Sequence, residues 1–308
     1  MTTFNAAFTR SIIGTFGEEG RNWLDALPEI LERCRDHWDL TFSRPATILS
    51  LNYVTFAHTK SGDEVVLKVG VPHSELFTEM EALRHYAGSG IVKCLDSDND
   101  LGALLLESVR PGTMLYELGD NASQTRLAGR VMADLARPAP ANHSLPTFAD
   151  WIERGYGDAR RIIRDESGFL KRSMIDHAQA LFEWVQASKV RDVLLHGDLH
   201  HENILLSEER GWIAIDPKGV IGAPCLEAGR YLINQIPADA SLDHKRALLV
   251  ERVPILSRAL AAPEDRIRAA GVIDGVLSIS WGLSESEPEG MWQRNVRDVA
   301  VLLSDMTD

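Results

Sequence analysis

The hydrophobic pattern of this chain shifts at Val109-Arg110-Pro111-Gly112 from mainly strands to almost all helix, and that shift limits the fold more than any other feature. Before it, short β-branched runs alternate apolar and polar residues; beyond it, apolar residues recur at helical spacing almost to the end. ATILSL, YVTFAH and EVVLKV, at 46–51, 53–58 and 64–69, predict three strands, and Ser61-Gly62-Asp63 predicts a hairpin turn between the last two. An amphipathic helix from Glu18 to Trp38 precedes them, carrying Trp23, Leu27, Ile30, Leu31, Cys34 and Trp38 on one face. A second helix is predicted from His73 to Tyr86, ended by Gly88-Ser89-Gly90, with further strands at 91–95 and 102–107. The expected class is α+β. Residues 1–108 form a small sheet lobe with one inserted helix, and residues 109–308 a larger, mainly α-helical lobe.

Helices are expected in that second part at 123–137, 147–164, 170–189, 223–235, 242–261, 264–281 and 290–305. One patch interrupts them. NILL at 203–206 and WIAID at 212–216 read as two short strands around Glu208-Glu209-Arg210-Gly211. Just before this hairpin stands HGDLHHEN, residues 196–203, which has too much polar chemistry for an ordinary turn.

Phosphoryl transfer explains that density. It needs a carboxylate beside the acceptor hydroxyl, metal ions to neutralise the triphosphate, and a lysine on the phosphates that stay behind. In the kinase plan the catalytic Asp is followed five residues later by an Asn, and a second Asp lies at the end of a following strand. Asp198, Asn203 and Asp216 have that order and spacing, with the predicted hairpin between the last two. Asp198 is the candidate base, and Asn203 and Asp216 are candidate oxygen ligands for Mg²⁺. His196 is expected to brace the loop by hydrogen bonding.

A kinase also needs a lysine on the third strand of the small lobe, and Lys68 lies there, on the face opposite Leu67 and Val69. Its expected partner is Glu79, beside the Leu76, Met80 and Leu83 stripe of the following helix. Backbone groups near Glu107 and Val109 are where adenine would bind. The segment LNY, 51–53, contains no glycine, so Ser50 and Asn52 are the candidates for contacting phosphate, and no Walker A motif is present. A metal-cage reading of HGDLHH lacks the further Asp-x-His and Gly-Asn-His ligands that such hydrolases need. His200 and His201 are therefore expected as exposed loop residues or neighbours of the substrate.

A net charge of −13 opposes nucleic-acid binding and suits a small cationic substrate. Glu202, Trp281, Glu285, Glu287 and Glu289 are candidates for meeting one. The three cysteines form no CxxC pair, the N-terminus lacks a sustained apolar region, and no run is long enough to span a bilayer. A cytoplasmic protein with no membrane partner is the expectation.

VVLKV, EALRHYAGSG, ALLLESVRPGTML, LLHGDLHHENILL and IDPKGVIGAPCLEAGRYLIN together resemble the aminoglycoside phosphotransferase superfamily. The branch they resemble is the streptomycin 6-kinases, also described as aminoglycoside/hydroxyurea resistance kinases. The resemblance implies a protein-kinase-like two-lobe fold and ATP- and Mg²⁺-dependent phosphorylation of a hydroxyl, with streptomycin as the expected acceptor. It implies Asp198 as base, Asn203 and Asp216 as Mg²⁺ ligands, Lys68 and Glu79 on the ATP phosphates, and Glu227 bracing the catalytic loop. The chain departs from the family's pattern at LNY, where small residues or glycines are usual, and at Cys225-Leu226-Glu227, where an aromatic residue usually precedes the acid. Two alternatives stay open: a kinase of the same fold acting on another hydroxylated metabolite, and a catalytically idle nucleotide-binding regulator.

Overall fold

The computed structural model describes residues 4–47, 49–163, 168–187, 191–283 and 290–306, and it divides into two compact units, Met1–Arg110 and Pro111–Asp308. In the first unit, α1 (Ala6–Trp38) consists of two helical segments that meet at Gly17, where φ is 59° and ψ is −126°. The helix therefore starts well before Glu18. Phe8 and Ile12, four positions apart, give the early segment a buried face of its own.

The elements that follow are β1 (Thr41–Pro45), β2 (Asn52–His58), β3 (Glu64–Gly70), α2 (Ser74–Tyr86), β4 (Cys94–Asp98) and β5 (Ala103–Glu107). The five strands form one antiparallel sheet in the order β1-β2-β3-β5-β4. The first strand is not ATILSL but the residues before it. β1 pairs with β2 from Thr41↔His58 to Pro45↔Thr55, and the Ala46 N–H adds one further bond, to the Val54 carbonyl at 2.8 Å. The fourth strand also lies later than expected, because Ile91 and Val92 bury their side chains ahead of the ladder.

Alternation along β3 sorts its side chains. Val65, Leu67 and Val69 join Trp23, Leu27, Leu31 and Cys34 of α1 in one apolar core. Lys68 points to the other face, where α2 packs through Leu76, Met80 and Leu83.

The second unit contains β6 (Pro111–Met114), α3 (Asn121–Leu135), β7 (Arg137–Pro138), α4 (Phe148–Ile162), α5 (Arg172–Ala187), β8 (Val193–Leu195), β9 (Ile204–Ser207), β10 (Gly211–Ala214), β11 (Val220–Gly222), α6 (Ala228–Ile233), α7 (Leu242–Leu260), α8 (Glu264–Gly282) and α9 (Met291–Asp305). The hairpin around 208–211 forms as β9 and β10, and β6 adds a third strand to it. A separate three-stranded sheet has the order β11-β8-β7. β6, β7, β8 and β11 were not legible, being two to four residues long and too short to show a period. The expected helix at 223–235 opens instead as a 3-10 turn, Pro224–Glu227, and only then becomes α6. α8 is buried on nearly all sides from Ile267 to Ser280, as its apolar sequence requires. Among the described residues, no helix is long and apolar enough to cross a membrane.

The short helix α6 is held by one side chain from α7. The Arg252 guanidinium, 1% exposed, donates to the carbonyls of Tyr231 and Leu232 and of Asn234 and Gln235 just beyond them, while its Nε donates to Asn121 Oδ1 at 2.8 Å. These include carbonyls left unpaired where α6 ends, and a cation suits that end of the helix. Arg252→Leu is expected to lower unfolding free energy by about 3 kcal/mol or more, since several buried acceptors lose their donor together. Urea unfolding checks this, and a loss below about 1 kcal/mol would contradict it.

Candidate active site

In the first unit, Lys68 Nζ lies 2.7 Å from Glu79 Oε1 and 2.8 Å from Oε2. Both side chains are buried, 5% and 8% exposed. The period of two along β3 and the helical period of α2 bring them onto a common face. Asn52 opens β2 opposite Gly70, and its amide lies where a Gly70 Cβ would stand. Its Oδ1 is buried and has no hydrogen-bond partner among the described residues. Ser50 is exposed. Glu107 accepts the Lys93 backbone N–H at 2.7 Å, so its carboxylate ties the end of β5 to the start of β4, and Val109 is half-buried.

In the second unit, β8 delivers the chain into the HGDLHHEN loop. Glu227, 5% exposed, accepts the backbone N–H of His196 at 2.7 Å on one oxygen and that of Gly197 at 3.1 Å on the other. Burial pushes the Glu227 carboxyl up to about 7, while those two N–H bonds work in the opposite direction. The carbonyl of His196 accepts the N–H groups of Lys218 and Gly219 at 2.8 and 3.1 Å. Its ring Nε2 donates to the Ile215 carbonyl at 2.7 Å, and Nδ1 accepts the Asp198 N–H at 3.2 Å. This use of both nitrogens fixes the neutral ring, and burial lowers its pKa to about 4. Gly197 has a φ of 80° and packs so closely on Trp151 and Val220 that a Cβ would come within 2.8 and 2.9 Å of them.

These contacts set the geometry of three oxygen-bearing side chains. The Asn203 amide nitrogen donates to the Asp198 carbonyl at 2.9 Å, which leaves its Oδ1 as the atom to present to a cation. Ile215 N–H donates to the Asn203 carbonyl at 2.9 Å, joining the start of β9 to the residue before Asp216. Asp216 has a φ of 58°, left-handed and strained for a residue with a side chain, and such strain concentrates at functional sites. Two hard oxygen donors fit Mg²⁺, which keeps most of its shell for water and phosphate oxygens. Among the described residues, no three His, Cys, Asp or Glu side chains gather as a protein-only metal cage.

The two remaining histidines differ from each other. His200 caps the 3-10 turn His201–Asn203 by accepting the Glu202 N–H at 3.3 Å, and burial lowers its pKa. His201 is not an exposed loop residue: it is fully buried and stacks on Tyr231, with ring centroids 4.1 Å apart and 15° between planes. The apolar face of the imidazole takes it inside, and neither ring nitrogen has a hydrogen-bond partner among the described residues. Glu202 is exposed and accepts from Gln235 Nε2 at 3.4 Å. Trp281, near the end of α8, lies edge-to-face on Trp151 at 5.6 Å. Glu285, Glu287 and Glu289 lie outside the described residues.

Three residues beside the loop went unrecognised in the sequence. Arg230 Nε lies 3.2 Å from Asp198 Oδ1 and 3.4 Å from Asp274 Oδ2, and Trp151 covers Gly197. Arg230 stands in the CLEAGRYLIN stretch but was given no role there, Asp274 and Trp151 lie in none of the quoted stretches, and each of the three sits on a helix whose neighbours are known only once it is packed.

The family model described as aminoglycoside/hydroxyurea antibiotic resistance kinase matches residues 43–285. A streptomycin 6-kinase of Streptomyces glaucescens is 29% identical over 83% of this chain and 82% of its own length. A hydroxyurea phosphotransferase of Kitasatospora aureofaciens is 30% identical over 93% of this chain and 82% of its own. Among solved structures, amicoumacin kinase hAmiN in complex with AMP-PNP, Ca²⁺ and Ami shares the fold, with a TM-score of 0.63 and 14% identity over 93% of this chain and 96% of that one.

Burial of His201 has a consequence for acid stability. Its pKa is depressed by burial, first, and by Arg252, from 6.5 to about 2, so below pH 6.5 the unfolded chain takes a proton that the folded chain refuses. Stability therefore falls as pH drops, and this histidine contributes at most about 1.4 kcal/mol per pH unit. His201→Phe keeps the stack and removes both unpartnered nitrogens. We expect it to be at least as stable at neutral pH and to show a shallower decline between pH 6.5 and about 4, where His196 still titrates. Urea unfolding across that range checks the sign; an unchanged slope contradicts it.

Proposed function

The chain belongs to the aminoglycoside/hydroxyurea antibiotic resistance kinase family, and from that premise we propose that it transfers the γ-phosphoryl group of ATP to a hydroxyl of streptomycin or a related aminoglycoside. The observation that carries this reading is the loop in which Asp198, Asn203 and Asp216 are held together by backbone contacts. Asp198 accepts the acceptor's proton as its oxygen bonds to the γ-phosphorus, and the bond to the β-phosphate oxygen breaks to leave ADP. Asn203 and Asp216 hold Mg²⁺, which when bound neutralises charge on the triphosphate. Lys68, oriented by Glu79, holds the phosphates that are not transferred. Ser50 and Asn52 contribute polar contacts where glycines are usual, and backbone groups of Glu107 and Val109 meet the adenine. The amicoumacin kinase's AMP-PNP is in keeping with a nucleotide donor of this kind.

The acceptor assignment is supported by the streptomycin 6-kinase relative and by the net charge of −13, which suits a polycationic drug. Half-buried Trp281, with His200 and Glu202 at the catalytic loop, is proposed to meet it. One observation favours a second acceptor, hydroxyurea: the phosphotransferase named for it matches more of this chain than the streptomycin kinase does.

Incubating the protein with ATP, Mg²⁺ and each compound, followed by product mass spectrometry, decides between them. A phosphorylated streptomycin is expected, and both compounds recovered unmodified would contradict the proposal. Asp198→Asn is expected to fold and bind ATP as the wild type does while turnover falls by about 10²–10⁴-fold. Wild-type turnover in that variant would remove Asp198 from its role.

A further inference from the structure

Asp198 has its backbone fixed twice, its N–H by His196 Nδ1 and its carbonyl by the Asn203 amide. Neither contact sets where its carboxylate points. That task falls to Arg230, the third residue of α6, whose Nε lies 3.2 Å from Asp198 Oδ1. The same Nε lies 3.4 Å from Oδ2 of Asp274, 3% exposed and midway along α8. Nε makes no aligned hydrogen bond to either acid, so the guanidinium holds both by charge.

The packing of α6 on α8 is built for this contact. A Cβ on Gly229 would come within 2.6 Å of the Ala270 carbonyl and 2.7 Å of Asp274 Cβ, so only glycine lets the helices approach so closely. Burial opposes the charge on Arg230, but Asp274 and Asp198 outweigh it and raise its pKa. Burial pushes the Asp274 carboxyl up, and Arg230 counters that. A buried carboxylate facing a buried guanidinium is costly to assemble, and a plain helix–helix contact does not need one.

We infer that Arg230, anchored by Asp274, is a positioning residue that holds the Asp198 carboxylate in its reactive orientation. The inference rests on the proposed role of Asp198 as base. Arg230 touches no reacting atom. It acts by keeping Asp198 Oδ1 on one side, so that the other oxygen faces the hydroxyl. A small displacement of such a group costs about 10²-fold in rate.

Arg230→Ala alone leaves Asp274 buried and unpaired, which threatens folding. The Arg230→Ala/Asp274→Asn double variant avoids this, and Arg230→Lys retains charge without the planar fork. The readouts are kcat and KM with ATP, Mg²⁺ and streptomycin or hydroxyurea as acceptor, and hydrolysis of ATP by water as a third reaction. The double variant is expected to lose about 10²-fold in kcat while KM for ATP stays within about twofold. Millimolar guanidinium chloride is expected to restore part of the loss, because the site retains some exposure: 14% of the Arg230 side chain. Arg230→Lys falls between wild type and double variant.

A double variant with wild-type kcat, or one of native stability that guanidinium does not rescue, overturns the inference. Asp198→Asn serves as the control. If it loses turnover while the double variant does not, the positioning role alone is wrong. If Asp198→Asn keeps wild-type turnover, the proposed base is wrong and the positioning role falls with it.

Discussion

One buried carboxylate organises the HGDLHHEN loop. Glu227 accepts the two consecutive N–H groups that begin HGDLHHEN, and it does so from the 3-10 turn ahead of α6. A loop N–H facing a protein interior has no water to turn to, so losing its acceptor costs the full desolvation penalty. His196 extends the grip: its ring bridges the Ile215 carbonyl and the Asp198 N–H, and its carbonyl accepts from Lys218 and Gly219. The segment that carries Asp198 is thereby tied to the segment that carries Asp216. Such ties hold backbone groups in place ahead of a ligand, as preorganised electrostatic catalysis requires.

The Lys68–Glu79 pair in the first unit follows a similar logic. Two buried charges cost several kcal/mol each to desolvate, and well-packed apolar residues in their place would often be as stable. Such a pair is weak support for stability and good support for a ligand that needs a fixed cation. Arg230 repeats this arrangement beside Asp198, with Asp274 as its counterweight.

The candidate site residues were easier to single out than the architecture around them. Asp198, Asn203 and Asp216 lie close in sequence, and the hairpin between them has turn residues that any reading would notice. Lys68 and Glu79 follow from two periods, two along a strand and about 3.6 along a helix. The failures came where local signals vanish. β6, β7, β8 and β11 are too short to carry a period, and β1 precedes ATILSL, with Thr41–Pro45 pairing along β2. His201 was misjudged because an imidazole in a polar loop reads as solvated, while the Tyr231 ring that buries it lies thirty positions on. Arg230 lies in the CLEAGRYLIN stretch, which drew notice for Glu227, Asp274 and Trp151 lie in none, and the place of all three beside the loop depends on how α4, α6 and α8 pack.

The claim on which the rest depends is that Glu227 holds the loop rigid in the free protein. Amide hydrogen exchange across residues 193–203 tests it in wild type and in Glu227→Ala, with Leu249–Leu256 of α7 as internal reference. The wild-type His196 and Gly197 amides are expected to exchange as slowly as the reference. In Glu227→Ala they are expected to exchange much faster while the reference is unchanged. Equal protection of the two amides in both proteins would show that the loop is held by something else.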